Sequence, residues 1–331
     1  MKVARAIGGA GIEALTIRDE PIIEPGPGEA LVRLRAATLN FRDLLFITGR
    51  LPNMTKQPDY VPLSCSVGEV VAIGDDVERV SVGERVTPIF SLGWIRGPQA
   101  SYDMLGGSAD GVARQYATFP AESLCHVPDQ LGDFEGATLT CAGLTAWSAL
   151  TQYRTLQPGD WVLAHGTGGV SIAALQFAKA MGANVAITSS SYAKLARAEV
   201  LGADVMINYR TTPDWEKAVR DAIGGNEVAI VVDTVGVEQF DKNAALLRED
   251  GQLAAIGMLG SDFSWSRMGQ GVNVVAISVG NRDQHEEMVE FIAEHRIRPV
   301  VDVVYDLERL ADAYRHLESG KFFAKIGVTL L

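Results

Sequence analysis

The second half of the chain alternates short apolar runs with stretches of helical periodicity, and this alternation constrains the fold more than any other feature. Runs at 161–164, 185–188, 205–209, 228–232 and 253–256 read as strands, and the segments at 172–181, 193–201, 215–223 and 237–248 read as helices. Strands apolar on both faces and separated by helices form a parallel sheet covered on its two sides. The first half has a different texture. After a Pro/Gly cluster at 25–28, "EALVRLRAATLN" puts Val32, Leu34 and Ala36 on one face and Arg33 and Arg35 on the other, the pattern of a half-buried antiparallel strand. "GEVVAIGDDVERVSVGERVTPIF" repeats the theme, with turns near Gly74 and at Gly83. A two-domain chain, all-β and then α/β, is the simplest account of 331 residues with this pattern.

Where the first apolar run of the α/β part ends, the sequence reads "HGTGGVS". Gly166 and Gly168 hold the first two positions of a G-x-G-x-x-G turn between strand and helix, Gly169 and Val170 carry it into the helix, and Ser171 stands at the third glycine position. Gly166 permits the tight turn. Gly168 lets the backbone approach a pyrophosphate, which the free N–H groups and dipole of a helix N-terminus favour. Set among successive strand-helix units, the turn predicts a dinucleotide site. An NAD site normally presents a carboxylate roughly 20 residues further on, to bind the adenosine ribose. Here "VAITSSSYAKLAR" has none between Asn184 and Arg197, while Ser189, Ser190 and Lys194 suit a 2′-phosphate. NADPH is the expected cofactor, although the same residues also suit a helix start capped by serine with the lysine in solvent. Gly236, after "VVDT", and Gly257 with Met258, after "LAAI", end strands where open α/β sheets place their ligands, and they also fit plain turns.

Composition narrows the partners. A formal charge of −12 argues against a phosphate backbone as the main partner, so no nucleic acid is expected. No apolar run is long enough for a membrane span and the first residues lack a secretory apolar region, so a soluble, cytoplasmic chain is expected. Cys65, Cys125 and Cys141 lie far apart without a CxxC pair and read as reduced thiols. His126, His165, His285, His295 and His316 show no ligand spacing and read as surface or strand-end residues.

Together, "EPGPGEALVRL", "LNFRDLLFITG", "GEVVAIGDDVERVSVGERV", "LTCAGLTAWSAL", "QPGDWVLAHGTGGVS", "LGADVMINYR" and "SGKFFAKIGVTL" resemble the medium-chain dehydrogenase/reductase superfamily. The resemblance is to its zinc-independent branch of quinone oxidoreductases, enoyl reductases and related NADPH-dependent reductases. It implies a GroES-like catalytic domain over 1–122, completed by 283–331, a Rossmann domain over 123–282, and a homodimer. It also implies that Lys194 and Tyr209 bind the 2′-phosphate, that Thr145 lies beside the nicotinamide ribose, and that Lys325 belongs to the cofactor set. Family members usually have glycine before that lysine, and this chain has Ala324.

In the zinc alcohol dehydrogenases of the superfamily, three side chains hold the catalytic ion. Aligned on the motifs, their positions here are Asn40, Ser64 and Cys141, so one thiol remains and no metal is expected, since a catalytic zinc needs three protein ligands. Hydride transfer to a quinone or activated alkene is the expected reaction, because the acceptor spreads the negative charge that a metal would otherwise meet. A metal-free alcohol or aldehyde dehydrogenase, and a non-catalytic NADPH-binding protein, are the alternatives. Asn40 is expected to offer its amide to substrate or ribose, or else to cap the following helix. Asp43 is expected to orient Arg42 or the ribose, or else to form a surface ion pair. Tyr102, in the Gly-rich loop at 91–110, is the candidate phenol for protonating the substrate, or else a loop anchor. Cys65 either faces the cleft or is a buried inert thiol.

Overall fold

The computed structural model describes residues 1–51, 53–56, 58–99, 103–257 and 272–331. Two compact units divide them, Met1–Leu144 with Gly280–Leu331, and Thr145–Val279. The fold is α/β, a GroES-like β-rich unit and a Rossmann unit.

The first unit begins with a small antiparallel pair, β1 (Lys2–Arg5) and β2 (Thr16–Asp19). The strand expected after the Pro/Gly cluster is β3 (Glu29–Thr38), followed by α1 (Phe41–Ile47) and β4 (Cys65–Ile73). Val32, Leu34 and Ala36 are fully buried, while Arg33 and Arg35 on the other face pair with Glu69 at 3.1 and 3.7 Å. Burial of one face and ion pairing of the other is what the alternation encodes. Strands β5 (Arg85–Pro88), β6 (Tyr116–Pro120) and β7 (Leu124–His126) continue the sheet. The short α2 (Asp133–Gly136) and a π-type turn at Leu139–Gly143 then pack against β4. Because of that packing, the unit extends to Leu144 rather than ending at 122.

The second unit opens with the body of α3 (Leu144–Thr151). Its strands are β8 (Trp161–His165), β9 (Asn184–Ser189), β10 (Val205–Asn208), β11 (Val228–Asp233), β12 (Leu247–Ala255) and β13 (Asn273–Ala276). They form one parallel sheet in the order β10-β9-β8-β11-β12-β13. This order reverses between β8 and β11, the switch point at which such sheets bind ligands. The helices α4 (Gly169–Ala180), α5 (Tyr192–Val200) and α6 (Trp215–Ala222) match the periodic segments closely. The helix expected over 237–248 does not: a 3₁₀ turn at Val237–Gln239 and α7 (Phe240–Ala244) end early, and β12 takes over at Leu247. Tertiary pairing overrides the local period there, since Leu247 sits opposite Val228 of β11.

The chain then returns to the first unit through α8 (Arg282–Glu294), β14 (Val301–Asp306), α9 (Leu310–Ser319) and β15 (Lys325–Thr329). The larger sheet runs β14-β15-β3-β4-β5-β7, with β6 also on β3. Its core joins both ends of the chain, Val32, Leu44 and Tyr60 with Tyr314, Ile326 and Val328. Antiparallel pairing of β15 with β3 sets Gly327 opposite Thr38, and this register brings Lys325 beside Leu39 and Asn40.

Candidate active site

In the first unit, five of the positions singled out in the sequence, Asn40, Asp43, Ser64, Cys65 and Lys325, meet in one buried cluster. Asn40 occupies the N-cap position of α1, but its side chain does not cap the helix. Its amide nitrogen donates to Ser64 Oγ at 3.2 Å and to Cys65 Sγ at 3.0 Å. Its amide oxygen accepts from the ammonium of Lys325, which also donates to the Leu39 carbonyl. The capping is done by Asp43, whose carboxylate accepts the Asn40 backbone N–H at 2.8 Å. Asp43 is buried, so it is no surface ion pair. Burial drives its pKa up to about 6 against the opposing pull of Arg42, 3.2 Å away. Arg42 is fixed in turn by the Leu105 carbonyl at 2.9 Å and by the rings of Phe46 and Phe90.

Cys65, the first residue of β4, is fully buried. Burial pushes its thiol pKa up, but the thiol of Cys141, the Lys325 charge, the Asn40 amide and Ser64 together bring it well below the ordinary range. The neighbouring Cys65 and burial push the Cys141 thiol well above its ordinary value. Cys65 is thus a buried sulfur that accepts from the Asn40 amide, whose oxygen in turn accepts from the Lys325 ammonium. Cys125, in β7, is a separate buried thiol whose pKa rises to about 12, chiefly through burial.

In the second unit the glycine turn lies between β8 and α4. Gly166 has φ 74°, where glycine is unstrained, and among the described residues a Cβ at Gly166 or at Gly168 would meet nothing within 4 Å. As far as the described residues go, the turn leaves room for a pyrophosphate, and Gly169 and Val170 form the first turn of α4. Ser171 does more than replace a small glycine, because its hydroxyl donates to the His165 carbonyl at 2.6 Å. These residues fit a nicotinamide dinucleotide. Thr145 is buried in the first turn of α3.

At the ends of β9 and β10, Ser189 lies opposite Asn208, and the Tyr209 N–H donates to the Ser189 carbonyl at 3.1 Å. The helix cap here is Ser191, which accepts from the Lys194 backbone N–H, so Ser189 and Ser190 precede the cap and Lys194 lies in the first turn of α5. Gly236 has φ 117°, and its N–H donates to Asp233 Oδ1 at 2.9 Å, as does that of Val235. Asp233, which the sequence reading did not single out, holds this turn. Gly257 has a packing reason, since a Cβ there would stand 2.4 Å from the Thr234 carbonyl carbon. Tyr102 and Met258 lie outside the described residues.

His165 ends β8, as the strand-end reading expects, whereas His285 departs from both expected placements. His165 is buried, with Nδ1 3.1 Å from Thr188 Oγ1 and Nε2 2.7 Å from Asn243 Oδ1. His285, in α8, is also fully buried, and neither ring nitrogen has a partner among the described residues. Burial lowers its pKa to about 4, so it is neutral.

The chain matches two family models, the alcohol dehydrogenase GroES-like domain over residues 26–129 and the zinc-binding dehydrogenase domain over residues 169–294. A zinc-type alcohol dehydrogenase-like protein of Schizosaccharomyces pombe is 38% identical over 91% of this chain and 90% of its own. Among solved structures, an NAD-dependent alcohol dehydrogenase is 30% identical with a TM-score of 0.89, covering 99% of each chain. A mycobacterial protein complexed with NADPH is 26% identical with a TM-score of 0.82, again over 99% of each chain. The chain belongs to the medium-chain dehydrogenase/reductase superfamily and is an oxidoreductase of that family.

The zinc in these relatives' names can be tested against the residues here. At the three aligned ligand positions stand an amide, a hydroxyl and one thiol, and the amide oxygen already accepts from an ammonium. Among the described residues, no three His, Cys, Asp or Glu side chains are grouped to hold a metal ion. A tetrahedral zinc with three strong donors does not fit this set, and the Lys325 charge opposes a second cation beside it.

Proposed function

We propose that the chain is an NADPH-dependent reductase that delivers hydride to a quinone or an activated alkene without a catalytic metal. The observation that carries this reading is the contact of Lys325 with Asn40. It sets a buried ammonium and an amide where the resemblance aligns the first zinc ligand. A bound nicotinamide dinucleotide supplies the hydride. Reduction of a conjugated carbonyl or quinone gathers negative charge on oxygen, and a fixed ammonium and amide stabilise such charge as it develops. Asp43 and Arg42 keep Asn40 in place through the helix start rather than by touching substrate.

Three features support NADPH over NADH: the end of β9 lacks a carboxylate, Lys194 lies in the first turn of α5, and Tyr209 follows β10. The relative complexed with NADPH supports the same choice. A small-molecule substrate, a cytoplasmic location, and a homodimer paired through β13, one of the two edge strands of its sheet among the described residues, belong to the same proposal.

A second reading, metal-free oxidation of alcohols, is favoured by the names of the relatives. A panel of quinones, enones, enoyl thioesters and alcohols, followed by NADPH absorbance, separates the two. Turnover of quinones or enones with NADPH is the expected result. Turnover of alcohols alone, with NAD, would replace the proposal by the second reading, and turnover of none would leave a binding protein.

A further inference from the structure

A run of buried hydrogen bonds crosses the ends of three adjacent strands of the second unit. His165 is the last residue of β8, which lies between β9 and β11. Its Nδ1 is 3.1 Å from the hydroxyl of Thr188, its register partner in β9, and its Nε2 is 2.7 Å from Oδ1 of Asn243 in α7. Asn243 Nδ2 donates at 3.4 Å to Oδ2 of Asp233, the last residue of β11. The other Asp233 oxygen accepts the N–H groups of Val235 and Gly236, both at 2.9 Å. His165, Thr188, Asn243 and Asp233 are all buried. The direction of the run follows from its donors. A carboxylate only accepts, so the Asn243 nitrogen faces Asp233, its oxygen faces the imidazole, and Nε2 carries a hydrogen. Burial lowers the pKa of the ring against the pull of Asp233 and keeps it neutral, so Nδ1 is bare and accepts from the Thr188 hydroxyl.

Each end of this run adjoins a part of the dinucleotide site. His165 precedes Gly166 of the glycine turn, and its carbonyl accepts from Ser171 at 2.6 Å and from Thr234 at 2.8 Å. Thr188 precedes Ser189, and Asp233 holds the turn at Val235 and Gly236. Open α/β sheets bind their ligands at these strand ends. The ring itself stands edge-on to Trp215, with centroids 5.0 Å apart and planes at 82°. We propose that His165 is a positioning residue for the dinucleotide, holding the glycine turn, the end of β9 and the turn at 235–236 in one arrangement through both of its ring nitrogens. The inference rests on the dinucleotide site of the proposed function and is independent of the hydride acceptor. The glycine turn and the turn at 235–236 serve NADPH and NADH alike, so loss of the run weakens both, whereas loss of Lys194 discriminates between them.

The test is fluorescence titration of the purified full chain with NADPH and with NADH, alongside its melting temperature. Thr188→Val keeps the side-chain shape and removes one donor, and should weaken both dinucleotides by about 2- to 10-fold. His165→Phe keeps a ring against Trp215 and removes both hydrogen bonds, and should weaken both by roughly 5- to 100-fold. His165→Gln, whose amide can still donate to Asn243, should recover most of that loss. In wild type labelled with nitrogen-15 at histidine, the signals absent from His165→Gln should report a protonated Nε2, a bare Nδ1 and no titration across the neutral pH range. A fall in melting temperature with both affinities unchanged would make His165 merely structural and overturn the proposal. So would a loss confined to NADPH, the opposite tautomer, or an imidazolium. Wild type that binds neither dinucleotide would overturn this proposal and the cofactor reading together, whereas wild-type binding that the variants leave intact would overturn this one alone. Thr188→Val decides the matter even if the His165 variants do not fold.

Discussion

The ammonium of Lys325, at the start of the last strand, donates to the side-chain oxygen of Asn40, the residue that precedes the first helix. Both residues are buried, so the bond is made in surroundings where a charge-assisted contact counts for more than it would in water. If this pair stabilises charge on the substrate, Lys325→Met should lower kcat by roughly 10²–10³-fold, the usual cost of losing such a donor. Affinity for NADPH, read by fluorescence titration, should hardly change. Lost NADPH affinity with kcat intact would instead assign Lys325 to the cofactor, as the family resemblance implies.

Lys194 should set the choice of cofactor. Lys194→Ala removes a charged partner of the 2′-phosphate, a contact of roughly 1.5–3 kcal/mol, and should weaken NADPH by about 10- to 150-fold. NADH should be unaffected. Tyr209→Phe should act in the same sense and more weakly, since it removes a hydroxyl and no charge. Equal losses for both cofactors would show that Lys194 supports the fold or the pyrophosphate.

Asp43 should leave a mark on the pH dependence of stability. Burial raises its folded pKa from 3.8 to about 6, so the folded state binds the proton more tightly than the unfolded state does. The stabilisation from that proton is complete below the unfolded pKa and is lost as pH rises through about 6. A shift of this size amounts to about 2 kcal/mol between pH 4 and pH 7. Asp43→Asn does not titrate, so urea unfolding should find the variant more favourable relative to wild type at pH 7 than at pH 4. An identical difference at both pH values would contradict the assignment.

Ala324 has φ 57°, a left-handed conformation that costs an L-residue roughly 1–2 kcal/mol. Glycine avoids that cost but gives back roughly 0.4–1 kcal/mol through the entropy of the unfolded chain. Ala324→Gly should therefore raise the melting temperature by about 1–4 °C. A fall would show that the buried methyl group of Ala324 contributes more than its backbone costs.

Much of the fold was legible because it rests on local periodicity. The strands flanking the glycine turn, and α4 to α6, fall within a few residues of where the apolar pattern puts them. The pattern failed at 237–248, where Phe240, Ala244 and Leu247 recur at helical spacing but Leu247 is drawn into β12 by pairing with β11. The site was legible by residue type and not by partner. Asn40, with Asp43 three residues on, has the local form of a capping box, and nothing near it in sequence points to Lys325, 285 residues away. The π-type turn that carries Cys141 likewise reaches β4, which begins at Cys65, only through tertiary packing. Asp233 follows an apolar run and reads as an ordinary strand end, and its two hydrogen bonds to the turn at Val235 and Gly236 emerge only in three dimensions.

The central claim is that hydride transfer here needs no metal, with Lys325 and Asn40 holding the place of the ion. Its most direct test is the rate of NADPH oxidation with a quinone acceptor, measured on protein dialysed against a strong chelator and shown by elemental analysis to be free of zinc. The account predicts the same rate as before dialysis and no gain when zinc is added back. Loss of the rate on chelation, with recovery at one zinc per chain, would contradict it.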